Sequence, residues 1–181
     1  MSSAYYQQRI YIPQVDENDN FISAIERWEA HEKGILHRAF TVAVFYQGKI
    51  ICQHRKHPVF DDVFDFTASS HPQVTNNNEI QSLEEAVMQT LEREWNLRGD
   101  DITNLVNEGY ALYEDKDPNS KYTEHEYCHF FTAETDILPT LNSEIAYAFT
   151  LQSLSALKNQ NNPILGSLAP WVKEALKKKL F

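Results

Sequence analysis

The amino-acid sequence predicts an α/β (α+β) sandwich formed by one domain that spans residues 1–181. Strand-like runs rich in β-branched and aromatic residues precede an amphipathic helical segment, and further strands and then helices follow. Hydrophobic residues make up 42% of the chain and aromatic residues 12%, enough for one sizeable core. Neither a linker nor an internal repeat divides the chain, so we expect a single globular domain.

A β-hairpin is the first clear element. The segment from Ala39 to Tyr46, AFTVAVFY, has the composition of a buried strand. Gln47 and Gly48 supply a two-residue turn, and the following KIICQ supplies the return strand. We therefore expect an antiparallel pair at this point.

An amphipathic helix from Leu83 to Trp95 comes next. Apolar residues recur there at every fourth position, which places them on one helical face. Ser82 and Glu85 have the spacing of a capping box, which predicts where the helix begins.

Two further strands and two helices complete the chain. Gly109 to Tyr113 and Glu124 to Ala133 are predicted to pair as strands across a polar turn that contains Asp117-Pro118. A short helix is predicted around Leu151, Leu154 and Leu157, and a final helix has Ser167 near its cap and Pro170 in its first turn. One face of that final helix is expected to carry Leu168, Trp171, Val172, Ala175 and Leu176.

Charge and cysteine content exclude several classes of protein. The formal net charge is -10, and the one basic cluster is Lys177 to Lys179, which argues against a nucleic-acid-binding surface. No signal-like N-terminus or run of 18 apolar residues predicts a membrane segment. Cys52 and Cys128 both lie in strand-like stretches, so we expect no disulfide framework and a cytoplasmic location.

Two carboxylates stand out on the strand that contains EHEY. Glu124 and Glu126 alternate, so their side chains leave the same face, while His125 and Tyr127 leave the other. Adjacent carboxylates repel unless a cation or a shared proton lies between them. Taken alone, the pair is more typical of an exposed strand face with solvated charges.

Three histidines could complete a metal site with these glutamates. His31 and His37 flank a short segment before the first core strand, and His71 precedes a proline in a turn-like segment. Each one alone is more often a surface or packing residue. Together with the glutamates they form a nitrogen and oxygen set suited to Zn²⁺, Mn²⁺ or Mg²⁺, although spacing alone does not bring them together.

Several motifs in order resemble the type I isopentenyl-diphosphate isomerases of the Nudix superfamily, over about Val15 to Trp171. They are VDENDNFISAIERWEAHEKGILHRAF, SSHP, LEEAVMQTLEREWNL, EHEYCHFF and SLAPWV. The resemblance implies a Nudix α/β/α sandwich with a mixed sheet and activity on a small-molecule diphosphate. It also implies a divalent metal, held at the matching positions by His31, His37, His71, Glu124 and Glu126.

The resemblance further implies a substrate seat and a second cation. Glu94 matches a glutamate that binds a second Mg²⁺ through the diphosphate, and Arg27 and Arg55 match basic residues that contact diphosphate. A further family lysine is lost or replaced by Lys56. Tyr113 and Trp171 match aromatic residues beside a developing carbocation, which a π face stabilises. The alternatives are ordinary surface charge for the arginines and simple packing for the aromatic residues.

The catalytic pair of the family is altered here. Its second glutamate corresponds to Glu126, but its cysteine corresponds to Ser69. A thiol has a pKa of about 8.5 and exchanges protons near neutrality, whereas a serine hydroxyl needs a neighbouring base. We therefore expect isomerisation by the usual route to be severely slowed or lost. Cys128, on the face of Glu126, is a weaker candidate for a substitute thiol.

Two other functions stay open from the sequence. A Nudix hydrolase would use metal-activated water, but its acidic helix motif is largely absent, with Gln89 and Thr90 in the Arg-Glu places. A non-catalytic protein that binds metal or diphosphate is the third possibility. The segment DDVFDFTASS carries negative charge on Asp61, Asp62 and Asp65. These charges would repel a diphosphate unless a metal shields them or the side chains point outward.

Overall fold

The computed structural model describes residues 4–75, 77 and 79–181, so the first three residues of the N-terminal stretch lie outside it. The strands are β1 Tyr11–Val15, β2 Phe21–Glu26, β3 His37–Tyr46, β4 Lys49–Arg55, β5 Phe64–Asp65, β6 Ala68–Ser70, β7 Thr103–Lys116, β8 Thr123–Thr135 and β9 Ala146–Gln152. The α-helices are α1 Ala4–Gln7, α2 Arg27–Lys33, α3 Leu83–Trp95, α4 Leu154–Leu157 and α5 Pro170–Lys178. No helix among these residues has the length and apolar character that crossing a membrane requires.

A mixed sheet of nine strands organises the described residues around β3. This strand pairs antiparallel with β1, β4 and β6, and parallel with β8. The parallel register runs from His37 opposite Glu126 to Tyr46 opposite Thr135. That register brings one predicted histidine ligand beside one predicted glutamate ligand.

Helices cover both faces of the sheet, because residues of β3 alternate between two cores. Phe40, Val42 and Val44 face α3, where they pack with Val87, Leu91 and Trp95. Ala39 and Ala43 face the other way and pack in the core that contains Trp171, Val172 and Ala175 of α5. The predicted α/β/α Nudix sandwich with a mixed sheet is the observed architecture.

The structure agrees with most predicted elements and corrects the C-terminal ones. The hairpin, helix α3 with its Ser82 cap and the pairing of β7 with β8 are as predicted, although both of these strands are longer. Leu151 lies in β9 rather than in a helix, because this segment pairs with β4. The final helix begins at Pro170 with Ala169 as its cap, so Ser167 and Leu168 precede it.

Candidate metal centre

A short capped helix positions His31. Glu26 caps α2, since its Oε2 accepts a hydrogen bond from the Glu29 amide at 3.0 Å. Gly34 ends the helix with φ of 63°, in the left-handed region that glycine adopts without strain. β3 then begins at His37. The two histidines therefore lie together at the start of the central strand.

Backbone carbonyl groups set the tautomers of these two histidines. His31 Nδ1 lies 2.7 Å from the Arg27 carbonyl oxygen, and His37 Nδ1 lies 2.7 Å from the Ile35 carbonyl oxygen. A carbonyl only accepts, so each Nδ1 carries the hydrogen and each neutral ring presents a lone pair at Nε2. Metal-binding histidines are commonly oriented in this way.

The two glutamates of β8 lie on the buried side of their strand. Glu124 is 4% exposed and Glu126 is 6% exposed. On the opposite face, His125 Nδ1 bonds the Gly34 carbonyl and Tyr127 stacks on Tyr110. The predicted alternation is therefore correct, and a solvated strand face does not describe this pair.

The five predicted ligands converge on one point. One ligand atom from each lies within 4.8 Å of all the others, and the set is His31, His37, His71, Glu124 and Glu126. His31 Nε2 is 3.1 Å from Glu124 Oε2, and His71 Nε2 is 3.0 Å from Glu126 Oε1. His37 Nε2 faces His71 Nε2 at 3.2 Å. Such crowding of lone pairs and carboxylates fits a divalent cation.

A buried acceptor in this cluster supports the same conclusion. Glu124 Oε2 has no hydrogen-bond partner, although it lies near the His31 ring. A buried carboxylate oxygen without a donor is costly, because it has lost its hydration. A cation at the centre of the five ligands would compensate for that loss.

Local electrostatics set the protonation states of the cluster. Burial, together with His37 and His31, holds the pKa of His71 well below its usual range, which keeps that imidazole neutral. Burial raises the pKa of Glu126, but the hydrogen bond and charge of His37 outweigh it, so the net pKa is lowered. Burial also lowers the pKa of His31, and Glu124 more than reverses this, so the net pKa is raised. A bound cation would take the place of the proton that Glu124 attracts.

Two adjoining cavities open beside the ligand cluster and share His57, Ser69, Ser70 and His71 in their walls. The first is completed by Arg55, Glu124, Glu126 and Trp171. The second is completed by Tyr5, Tyr6, Arg27, Trp28, His31, Arg93 and Glu94. A larger surface groove between Phe45, Val106 and Leu180 includes none of the predicted site residues.

The second cavity contains two of the residues expected to contact diphosphate and its cation. Arg27 is buried, donates to the Tyr5 carbonyl at 3.2 Å and retains an Nε without a partner. Glu94 is also buried and accepts hydrogen bonds from Gln53 at 3.1 Å and Arg93 at 2.9 Å. Arg93 Nε likewise has no partner. The cavity therefore combines cationic groups with one carboxylate.

Arg55 and Lys56 are placed differently from each other. Arg55 is buried over the Trp171 ring and forms an ion pair with Asp65 at 2.9 Å. Lys56 donates to the Ser143 carbonyl at 3.0 Å and lines neither cavity, so the structure does not bring it to the site.

His57 lines both cavities and was not among the residues predicted from the sequence. Its Nδ1 lies 3.0 Å from the Val59 carbonyl oxygen and 3.1 Å from the Val59 amide nitrogen, so this ring nitrogen is held against the backbone. Burial and the charges of Arg55 and His31 hold its pKa well below its usual range. No motif distinguishes this histidine, so only its position in the fold reveals it.

The other predicted site residues meet around the first cavity. Ser69 Oγ lies 2.8 Å from Thr41 Oγ1, Tyr113 donates a hydrogen bond to Glu126 Oε2, and Trp171 Nε1 donates to Asp65 at 2.7 Å. Cys128 shares the strand face of Glu126, as predicted, but is fully buried and lines neither cavity. Burial raises its pKa well above the usual range, so it is a poor source of thiolate.

The three aspartates of the substituted segment do not line either cavity. Asp61 accepts a hydrogen bond from Tyr147, and Asp62 forms an ion pair with His54 at 2.7 Å. Asp65 is buried, and Arg55 balances its charge. Of the three charges, the buried one is therefore balanced by an arginine, and the other two lie outside both cavities.

Curated proteins with related sequences are isopentenyl-diphosphate isomerases. The chain is 32% identical over 141 residues to the isopentenyl-diphosphate Delta-isomerase of Aliivibrio fischeri, covering 74% of this chain and 75% of that one. It is 30% identical over 144 residues to human isopentenyl-diphosphate delta-isomerase 2, and the match covers 72% of this chain and 62% of the human one. No family model matches the chain.

Solved structures support the fold assignment. A Deinococcus radiodurans crystal structure matches with a TM-score of 0.67 and 14% identity, covering 93% of this chain and 98% of that one. A MutT Nudix hydrolase from Burkholderia pseudomallei matches with a TM-score of 0.56 and 14% identity, covering 78% and 96%. At this identity, the likeness concerns the fold alone.

Proposed function

Because the chain belongs to the isopentenyl-diphosphate Delta-isomerase family, we propose that it is a metal-dependent enzyme that shifts a double bond in an isoprenoid or related diphosphate. The convergence of five metal-ligating side chains beside a cavity that also contains Glu126 and Trp171 carries the proposal. A cluster of this kind favours a bound cation, and the adjoining cavity places Glu126 and Trp171 beside it.

The proposed metal ligands are His31, His37, His71, Glu124 and Glu126. When bound, a divalent ion would supply the positive charge that holds the two carboxylates together. Glu126 is also the proposed proton-transfer group of the cavity. Tyr113 donates a hydrogen bond to its Oε2, which orients the carboxylate and favours its ionised form.

The second cavity is the proposed diphosphate seat. Arg27 and Arg93 each retain a buried Nε without a partner, and charge-assisted hydrogen bonds to phosphate oxygens would satisfy both. Glu94, in the same cavity, is the proposed ligand of a second Mg²⁺ that the diphosphate shares. His57 lies between this seat and the first cavity and lines both.

Aromatic groups form the proposed reaction chamber. Trp171 lines the first cavity, and Tyr113 lies 6.4 Å from it between ring centroids. A cation that develops in this chamber would be stabilised by the π face of the indole. The Arg55 charge does not oppose this, because Asp65 balances it.

Isomerisation in D₂O, followed by NMR with isopentenyl diphosphate and Mg²⁺, tests the proposal. Wild-type protein should incorporate deuterium and form the isomer slowly, because Ser69 stands where the family has its cysteine. Glu126→Gln should lose a further factor of at least about 100 in rate, the scale of general acid–base catalysis. Glu134→Gln, an exposed residue of the same strand, is the matched control. Phosphate release without deuterium incorporation would instead indicate a hydrolase. Binding of diphosphate without either reaction would indicate a non-catalytic protein.

A further inference from the structure

Several buried polar atoms without partners surround the second cavity. Among the described residues, four buried side-chain atoms have no hydrogen-bond partner, and one of them is Glu124 Oε2 of the metal cluster. The other three are Tyr6 Oη, Arg27 Nε and Arg93 Nε, and each belongs to a residue that lines the second cavity. A buried donor without an acceptor is costly, because it has lost its hydration. The cavity is therefore suited to a ligand that offers several acceptors.

Tyr6 is held in place through its backbone and not through its hydroxyl. Trp28 Nε1 donates a hydrogen bond to the Tyr6 carbonyl oxygen at 3.0 Å. Arg27 Nη2 donates to the Tyr5 carbonyl oxygen at 3.2 Å and to the Gln8 carbonyl oxygen at 3.4 Å. These bonds fasten α1 and the residue after it to α2, so the position of this segment does not require the tyrosine hydroxyl.

Ring packing fixes the direction of this hydroxyl. Tyr6 is 6% exposed, and its ring packs edge-on against Trp28 and His57, at 6.3 Å and 4.6 Å between ring centroids. Burial raises the pKa of Tyr6, so the phenol keeps its proton and is able to donate a hydrogen bond. The hydroxyl is therefore a donor that is already oriented before any ligand binds.

The charges around the second cavity favour an anion. Arg27 and Arg93 both contact the Tyr5 ring, with their Cζ atoms 4.7 Å and 3.9 Å from its centroid. Glu94 adds one negative charge, but it already accepts a hydrogen bond from Arg93 at 2.9 Å. Phosphate oxygens accept hydrogen bonds and attract positive charge, so they suit both the arginines and a phenol donor.

We propose that Tyr6 is a further diphosphate-binding residue, whose hydroxyl donates a hydrogen bond to a phosphate oxygen beside Arg27 and Arg93. This inference rests on the proposed function, because it extends the diphosphate seat named there. Tyr6 lies outside the stretch from about Val15 to Trp171 that resembles the isomerase family, so the resemblance assigns it no role. The contact comes from the N-terminal segment of this chain.

The ligand enters when α1 is displaced. The second cavity has a volume of about 20 Å³, which holds one water molecule but not a diphosphate. Helix α1 has four residues, too few to be stable without its contacts to α2, so it is the wall of the cavity that moves most readily. When α1 returns over the bound diphosphate, the Tyr6 hydroxyl closes the seat.

Titration calorimetry with pyrophosphate and Mg²⁺ tests the contact. Tyr6→Phe keeps the ring and should weaken binding by about 10-fold or more, the scale of a hydrogen bond to a charged group. Tyr147→Phe is the matched control, because its hydroxyl bonds exposed Asp61 and it lines neither cavity, and it should change the affinity by less than about twofold. Without ligand, the Tm of Tyr6→Phe should not fall below that of wild type, since the lost hydroxyl has no partner.

Equal pyrophosphate affinity of wild type and Tyr6→Phe would overturn the contact, and a loss of affinity in Arg27→Ala would show that the seat itself stands. A lower Tm for Tyr6→Phe would also overturn the contact, because the hydroxyl would then have a structural partner. No binding of pyrophosphate to metal-loaded wild type would overturn the seat, and the contact with it. Isomerisation in D₂O tests the reaction separately, so failure of the contact is distinguishable from failure of the proposed function.

Discussion

At the residue scale, the direction of the side chain distinguishes basic residues that have the same expected role in the sequence. Arg27 and Lys56 are both basic residues expected at a diphosphate seat, yet only Arg27 lines a cavity. Lys56 is directed to the Ser143 carbonyl on the protein surface. Motif position alone therefore does not distinguish a basic residue that lines the cavity from one that does not.

Binding of pyrophosphate with Mg²⁺ should reflect this difference. Arg27→Ala should weaken binding by about 10- to 100-fold, because hydrogen bonds to charged groups contribute roughly 1.5–3 kcal/mol. Lys56→Ala is the matched control and should change the affinity by less than about twofold, since an exposed charge contributes little. Titration calorimetry measures both variants. Equal losses in the two variants would contradict the placement of the seat.

The candidate metal ligands were easier to find in the sequence than the residues that surround them. His31, His37, His71, Glu124 and Glu126 lie in compact motifs, so a resemblance could identify them one by one. His57 and Asp65 contact residues distant in the chain: His57 packs against Tyr6, and Asp65 accepts a hydrogen bond from Trp171. No local pattern contains that information.

At the element scale, short segments with special backbone geometry hold the site. The hairpin and α3 were predictable because their signals are local and repeat over many residues. Helix α2 has only seven residues, too few to form without tertiary contacts. The leucine spacing of β9 is typical of a helix, but its pairing with β4 makes it a strand. The element that carries His31 was therefore among those the sequence did not reveal.

Gly34 is the point at which this element can be tested. Its φ is 63°, and a Cβ there would meet Thr123 at 3.7 Å, which is an ordinary contact. Gly34→Ala should therefore lower the free energy of unfolding by about 1 kcal/mol through backbone strain alone. Gly99→Ala, where the backbone is not left-handed and the space is open, should be nearly neutral. Urea unfolding measures both, and equal effects would show that the helix end does not need glycine.

At the scale of the whole molecule, the parallel pairing of β3 with β8 brings the candidate metal ligands together. It sets His37 opposite Glu126, while β6 on the other side of β3 leads into His71. Such pairing joins segments far apart in the chain, and short-range patterns do not specify it. The fold class followed from the order of elements, but the convergence of the five ligands required the sheet.

Burial of an uncharged histidine should make global stability depend on pH. The pKa of His57 is held well below its usual range by burial and by Arg55 and His31, whereas in the unfolded chain it is about 6.5. Below about pH 6.5 the unfolded state binds a proton that the folded state does not, so stability falls as the pH falls.

Urea unfolding of metal-free protein at several pH values tests this effect. As the pH falls from about 6.5 to 5, the free energy of unfolding should decrease less for His57→Gln than for wild type. The difference between the two slopes should be up to about 1.4 kcal/mol per pH unit. The difference between the two proteins isolates His57 from other titrating groups. Parallel curves for the two proteins would show that His57 is not held neutral.

Metal stoichiometry shows whether five side chains from distant parts of the chain form one divalent-metal centre. Wild type and the control His54→Ala, whose ring pairs with exposed Asp62 instead, should each retain one equivalent after loading and dialysis. His71→Ala should lose the metal. Replacing a residue that only hydrogen-bonds to a metal ligand lowers metal affinity by roughly 10- to 100-fold, and loss of a ligand itself should lower it further. Unchanged metal content in His71→Ala would show that these five side chains do not form one metal centre.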